Sequence, residues 1–392
     1  MGTQGSYGRR RAGRRSRRAE PVEDLCRSRR RTAVRVTGAD RPGSDGTSGA
    51  SESSVSSSSV TTLVTGGAGY IGAHVVRALE QAGRGVVVVD DLSTSTADRV
   101  AGRPLVRTDL AAPGAATVLA QVIADHGVTS VVHLAARKQV GESVQRPEWY
   151  YAQNVGGLGA VLEAARRTGC DRLVFSSSAA VYGEPPQSRV DEDVRPDPIN
   201  PYGQTKLVGE WMVRAAARAW GLRQVSLRYF NVAGAGEPSL GDPAVLNLMT
   251  LVLDRLEQGR RPLLFGDDYP TADGTCVRDY VHVADLARAH VAALDHLESE
   301  ERYDVFDVGR GEGTSVAQML STIASVTGID TTPEVAARRP GDPAELVAAA
   351  RRVREVLGWA PEHDLHDIVA SAWEAWRAQR DAGVEPIRAS AG

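Results

Sequence analysis

Up to Val60 the chain shows neither helical nor strand periodicity; beyond it, short apolar runs alternate with amphipathic stretches. Thr61–Thr65 (TTLVT) reads as a buried strand, followed by glycines and a helix-period stretch over 70–82. A second apolar run, 86–89, closes on Asp90-Asp91. Further runs at 130–134, 173–176 and 224–227 alternate with helical patterns near 114–125, 153–167 and 203–219. Unbroken apolar runs suit strands covered on both faces. Their alternation with helices predicts parallel βαβ units and an α/β doubly wound parallel sheet. From about 235 to 275 the rhythm loosens into a Gly/Pro/Asp-rich stretch, followed by a helix over 283–297, a short strand over 303–308 and later helices. The organisation expected is a large domain over 61–234 and a smaller C-terminal α/β substrate lobe over 235–380. Some segments of that lobe return to the large domain, and 381–392 reads as a flexible tail. No internal repeat is visible.

With 392 residues, 42% hydrophobic and 24% charged, the chain has the proportions of an ordinary globular protein. At roughly 150 residues per domain its length suits two to three domains. No stretch approaches the ~18 to 20 apolar residues of a membrane span, so no membrane partner is expected. Cys26, Cys170 and Cys276 are odd in number and form no C-x-x-C pair. That argues against a disulfide scaffold or a cysteine zinc site, suits a reducing, cytoplasmic compartment, and leaves no metal expected.

Charge is uneven. Residues 1–60 hold 13 arginines against six acids, a balance of +7, which leaves −10 on the rest. Nine serines crowd 42–60, and the whole segment reads as a disordered Arg/Ser-rich extension. The arginine clusters would suit nucleic acid, but Tyr7 is the sole aromatic there, so no stacking platform exists and no nucleic-acid partner is expected. No apolar run follows the basic stretch, against a signal peptide. A solvated extension, or a start codon chosen upstream of the folded part, is the reading kept. Of 46 basic residues 44 are arginine; only Lys138 and Lys206 are lysine. Where lysine survives in such a chain, a requirement specific to an ammonium is expected.

Candidate chemistry begins at 65–72, TGGAGYIG, which fits G-x-G-x-x-G between a strand and a helix. Such glycines let a pyrophosphate approach the backbone at a helix N-terminus, where free N–H groups favour anions. The next strand ends in Asp90, 18 residues after Gly72. A carboxylate there accepts hydrogen bonds from ribose hydroxyls and repels a 2′-phosphate, so the expectation is a Rossmann-type site for NAD rather than NADP. Further on, Tyr202 and Lys206 in NPYGQTK are four apart at a helix start, on one face. A phenol with a pKa of about 10 is a poor base at neutral pH, and a nearby ammonium brings it into range. Ser178, in FSSSAAVYG, follows an apolar run and would face the crevice beyond the strand ends where ligands bind; a plain strand-to-loop turn is the alternative.

With VTGGAGYIG (64–72), KQVGESVQRP (138–147), RYFNVAGA (228–235) and FGDDYPTADGTCVRDYVHVADLA (265–287), these motifs make the chain resemble the extended short-chain dehydrogenase/reductase superfamily. Within it, the resemblance is to the UDP-glucose (UDP-galactose) 4-epimerase family, from about Thr61 to Trp376. It implies Tyr202 as general base and acid, Lys206 as its electrostatic partner and Ser178 as donor to the sugar's 4-oxygen. It places NAD against Gly66, Gly69, Tyr70, Ile71, Gly72, Asp90, Asp109, Leu110, Lys138, Asn154, Tyr202, Lys206 and Phe230. It places the UDP-sugar against Lys138, Ser178, Tyr202, Asn231, Asn247, Leu248, Arg278, Arg339 and Asp342. The implied reaction is reversible 4-epimerisation of UDP-glucose and UDP-galactose, through transient oxidation at C4, a 4-keto sugar and hydride return to the other face. It also implies a homodimer.

Departures from the family pattern are Ala136 for a glycine, Arg137 for an apolar residue, a short loop over 235–243, and a reshuffled 341–349. The last puts Glu345 at the position that gates an N-acetyl group. Three other functions stay open: a UDP-N-acetylglucosamine 4-epimerase, a dehydratase or decarboxylase, and a non-catalytic NAD-binding regulator. Ala179 and Ala180, where the second of these needs carboxylates, count against it.

Overall fold

Strands buried on both faces need apolar side chains at successive positions, and the large sheet is built this way. The computed structural model describes residues 60–299, 304–339 and 341–388, and all of them fall in one unit, Ser57–Gly392. The expectation for the arm falls on residues 1–59, outside the described residues.

The first half runs β1 (Thr61–Thr65), α1 (Tyr70–Gln81), β2 (Gly85–Asp90), β3 (Leu105–Arg107), α2 (Ala115–Asp125) and β4 (Val128–His133). Two short helices, α3 (Val140–Gln145) and α4 (Pro147–Tyr150), lead through a π-helical stretch, Tyr151–Gly156, into α5 (Gly157–Thr168). Then come β5 (Arg172–Ser176), β6 (Arg189–Val190), α6 (Pro201–Trp220), β7 (Arg223–Tyr229) and β8 (Asn231–Ala233). The later part holds β9 (Ala244–Val245), α7 (Leu248–Glu257), β10 (Leu263–Phe265), β11 (Val277–His282), α8 (Val283–Ser299) and β12 (Asp304–Val308). It ends with β13 (Gly313–Ser315), α9 (Val316–Thr327), β14 (Glu334–Ala336), β15 (Glu345–Ala348), α10 (Arg351–Leu357), α11 (Leu365–Asp381) and β16 (Ile387–Arg388).

Seven strands form one sheet in the order β12-β7-β5-β4-β1-β2-β3, with every pair parallel. The pleat divides each strand between two cores. Val64, Val88, Val132 and Val174 face α1 and α8, while Leu63, Val87, Val131 and Leu173 face α2, α5 and the far end of α6. The order reverses at β1, with β2-β3 on one side and β4-β5 on the other. The crevice beyond the carboxyl ends of β1 and β4 is therefore the place where such sheets bind ligands.

A second sheet, β13-β11-β15-β6 with β8 beside β11, lies at that end. It draws on both halves of the chain: β6 and β8 come before residue 235, and β12 crosses back to the edge of the large sheet.

Two features go beyond the sequence reading. The loose stretch 235–275 contains a ten-residue helix, α7, held by a capping box between Asn247 and Thr250 and by burial of Met249, Val252 and Leu253. The tail expected to be flexible contains β16, which pairs with β9 and whose Arg388 reaches Asp254 at 2.8 Å. Main-chain pairing of so short a strand leaves no periodicity to read.

Candidate active site

The turn after β1 closes so tightly that side chains have no room. Gly66 has φ +71°, and a Cβ there would stand 2.7 Å from Ala135 N; a Cβ on Gly72 would stand 2.0 Å from Gly66 O. Helix α1 starts at Tyr70 with Gly69 at its N-cap, no side-chain cap and no acid in its first turn. Its terminal N–H groups are therefore left for an anion.

Asp90 borders this cradle: Oδ2 accepts from Ala68 N (3.0 Å) and Oδ1 from Leu92 N (2.8 Å). Burial raises its carboxyl above the ordinary range, and these two N–H bonds work against the rise. A carboxylate has about four acceptor positions; with Ser95 Oγ also donating to Oδ1 (3.4 Å), one remains for a ribose hydroxyl. Lys138 is exposed near the carboxyl end of β4, Asp109 is exposed past β3, and Leu110 is buried beside it. Asn154, buried in the π-helical stretch, accepts from Arg137 N (2.7 Å) and donates to Thr205 Oγ1 (3.0 Å). Glycine turn, uncapped helix start, aspartate and free ammonium together fit a dinucleotide such as NAD.

Two side chains brace the cradle: Arg99, which the sequence reading did not single out, and Tyr70, which it placed against NAD. Arg99 donates to Ala68 O (3.0 Å), Leu240 O (3.0 Å) and Gly241 O (3.1 Å), and the Tyr70 hydroxyl donates to Gly234 O. Nothing in the spacing of Arg99 marks it.

On the other side of the crevice stand Ser178, Tyr202 and Lys206. Asn200 caps α6 by accepting from Gly203 N (2.9 Å), and Pro201 sits at its first position. The first turn presses on the chain after β5, since a Cβ on Gly203 would stand 2.5 Å from Ala180 O. That approach brings Tyr202 to Ser178. Burial raises the Tyr202 phenol, and a hydrogen bond from Ser178 pulls it back. One turn on, Lys206 is 4% exposed; its Nζ donates to Ser176 O at 2.8 Å and lies 5.8 Å from the Tyr202 ring centre. Burial lowers its ammonium to about 8. No carboxylate pairs with it among the described residues. The arrangement can take up and return a proton at the Tyr202 oxygen.

Beneath this trio runs a buried polar chain that the sequence reading also missed. Ser177 Oγ donates to Glu210, and Arg228 grips Glu210 with two bonds (2.8 and 2.7 Å). Arg228 also donates to the Tyr182 hydroxyl (2.9 Å), which donates to Asp307 (2.7 Å). Burial raises Asp307 well above the ordinary carboxyl range. The legible signal was the stripe 202, 206, 210, four apart on one helix face; Asp307 carried none.

The substrate candidates divide. Arg278 donates to Pro343 O (2.7 Å) and pairs with Asp342 (3.3 Å), and the Arg339 guanidinium lies 3.8 Å over the Phe265 ring. Asn231 is exposed on β8, next to buried Phe230. Asn247 is engaged as the cap of α7, accepting from Thr250 N (3.0 Å) and donating to Asp242 (2.8 Å), with Leu248 at the first helical position. Its side chain is thereby tied down, and the first N–H groups of α7 are the donors left there. Glu345 turns to the face of β15 shared with Val347 and Gly313, its Oε1 3.8 Å from a Cβ placed on Gly313. Leu346 pairs with Arg278 across the strands and takes the opposite face.

Residues 62–309 match the model of the NAD dependent epimerase/dehydratase family. The chain is 45% identical over 340 residues to a UDP-glucose 4-epimerase of Azospirillum brasilense, covering 85% of this chain and 97% of that protein. Among solved structures, it is similar to the UDP-glucose 4-epimerase of Brucella ovis in complex with NAD (TM-score 0.77, 39% identity, 80% of this chain and 97% of that one). It is also similar to the UDP-glucose 4-epimerase of Stenotrophomonas maltophila with bound NAD and formylated UDP-arabinopyranose (TM-score 0.79, 38% identity, 82% and 99%).

Proposed function

The chain belongs to the NAD dependent epimerase/dehydratase family, and from that premise we propose that it is a UDP-glucose 4-epimerase, interconverting UDP-glucose and UDP-galactose. The observation that carries the reading is the trio of Ser178, Tyr202 and Lys206 gathered beyond the carboxyl end of β5, two strands along the sheet from β1, which leads into the glycine cradle. NAD, when bound there, supplies the hydride chemistry that no side chain can.

Tyr202 removes the proton of the 4-hydroxyl and later returns it. Ser178 hydrogen-bonds the 4-oxygen and the phenol together. Lys206, held by Ser176 O, stabilises the phenolate. A base acting on an alcohol must be strong yet deprotonated at working pH, and a buried ammonium beside the phenol works against the rise that burial gives it. Arg278 and Arg339, with Lys138, supply the cations that a UDP diphosphate requires, arginine through paired, charge-assisted bonds. Anchoring at the diphosphate leaves the sugar able to present either face. Ala179 and Ala180 offer no second acid or base, which favours epimerisation over dehydration or decarboxylation.

A second copy of this chain is the partner that the exposed apolar residues suit. Val140 (47%), Val144 (61%) and Tyr151 (37%) lie on the segment leading into α5, and Trp211 (56%) lies on α6. No helix among the described residues is long and apolar enough to cross a membrane. Cys170 and Cys276 are free thiols, as suits a cytoplasmic protein.

The test is conversion of UDP-galactose by the purified protein without added oxidant or reductant. Formation of UDP-glucose is expected, and Tyr202→Phe should slow turnover at least ~10²-fold while NAD stays bound. Failure of the parent, with NAD in place, to convert the sugar refutes the reading.

A further inference from the structure

Arg137 ties the loop after β4 to the loop after β2. Its guanidinium pairs with Asp91 at 2.6 Å and donates to Ser93 Oγ; its Nε donates to Gln153 Oε1 at 3.2 Å. The Trp149 ring centre lies 5.3 Å from the guanidinium carbon. Both paired side chains are mostly covered, at 21% and 28% exposure. Strand β1 lies between β4 and β2 in the sheet, so this bridge joins the two neighbours of β1 at their carboxyl ends, where the glycine cradle begins. Both loops already border the cradle. Asp90 accepts from Ala68 N on one side, and the Ala135 backbone crowds Gly66 on the other. Cradle, β2 loop and β4 loop make three sides of a ring, and the Arg137–Asp91 pair closes the fourth.

We propose that the Arg137–Asp91 pair is a latch on the dinucleotide, and that NAD enters or leaves only when the pair is parted. The proposal rests on the reading that NAD occupies the cradle. A long residence suits that reading, because epimerisation regenerates the cofactor in every cycle and never needs to release it. The pair keeps some exposure, so salt still loosens it, though less than it would a fully exposed pair. The bond to Gln153, with Trp149 packed alongside, keeps the guanidinium aimed at Asp91 when the pair opens, and the bond to Ser93, on the loop of Asp91, parts with the pair.

The experiment measures exchange of bound, adenine-labelled NAD against excess unlabelled NAD. The proteins are the parent, Arg137→Gln, Asp91→Asn and the double variant, with thermal midpoints followed alongside. Each single variant should release NAD about tenfold faster than the parent, since such contacts act mainly on dissociation. The double variant should be no faster than either single, because both changes remove one and the same closure. Raising salt from about 0.05 to about 0.5 M should speed exchange more in the parent than in the variants, because only the parent keeps the ion pair, a difference that loss of packing alone would not give. Exchange unchanged in both single variants, or a double variant whose acceleration is the product of the two, overturns the latch. A parent that neither carries NAD nor takes it up overturns the reading of the cradle itself, and the latch with it.

Discussion

Replacing Arg228 by methionine tests whether the buried chain under Tyr202 is one unit. The side chains of Arg228 and Glu210 are 4% and 1% exposed, and the guanidinium makes two bonds to the carboxylate and a third to the Tyr182 hydroxyl. In Arg228→Met, Glu210 keeps only the hydroxyl of Ser177, so a carboxylate stays buried without its cation. Breaking such a pair costs about 3–5 kcal/mol, far more than an exposed ion pair, because the desolvation penalty is left uncompensated. The double variant Arg228→Met/Glu210→Met removes both charges. It leaves only Ser177 and one face of Tyr182 short of a partner, so about 1–3 kcal/mol of loss should remain. Urea unfolding of parent, single and double variants checks this. The single should be least stable and the double should recover part of the loss. Turnover should fall in the single with KM for UDP-galactose little changed, since Glu210 sits two turns beyond Tyr202 on α6 and binds the serine next to Ser178. A single variant within about 1 kcal/mol of the parent, or a double variant less stable than the single, refutes the reasoning.

Three further outcomes are expected. Lys206→Arg should cut turnover and move the alkaline limb of the pH–rate profile upward, because an ammonium lowered to about 8 is replaced by a guanidinium that does not lose its proton; a profile like the parent's would end the argument from lysine scarcity. His74, His282 and His290, each lowered by burial to about 4, and His133, lowered to about 3, bind protons less readily folded than unfolded. Their contribution to stability is therefore intact above the unfolded value near 6.5 and is lost as pH falls towards 4, by up to about 1.4 kcal/mol per pH unit for each; urea midpoints that stay flat from pH 7 to pH 4.5 would contradict this. Glu345→Ser should leave the ratio of N-acetylated to plain sugar turnover unchanged, whereas Leu346→Ala, on the face shared with Arg278, should raise it; a response at Glu345 alone would reverse the assignment of faces.

Whatever depends on local pattern can be read along the chain. The apolar runs at β1, β2, β4, β5 and β7 follow from burial on two faces, and the glycines of 66–72 from a turn that leaves no space for a Cβ. The Tyr202–Lys206 pairing follows from helical spacing, and Asn200-Pro201 announces the helix that carries it. Tertiary structure decided what depends on segments far apart in the chain. Arg228, Tyr182 and Asp307 meet Glu210 only because β7, β12 and the turn after β5 converge on α6. Arg99 becomes a brace for the cradle only when 240–241 folds back over it. Arg137 reads in sequence as a departure from an apolar position, and gains its partner Asp91 only because β4 and β2 flank β1. The face of Glu345 was settled by the register of β15 on β11, for a strand turns successive side chains opposite ways and a shift of one residue exchanges them.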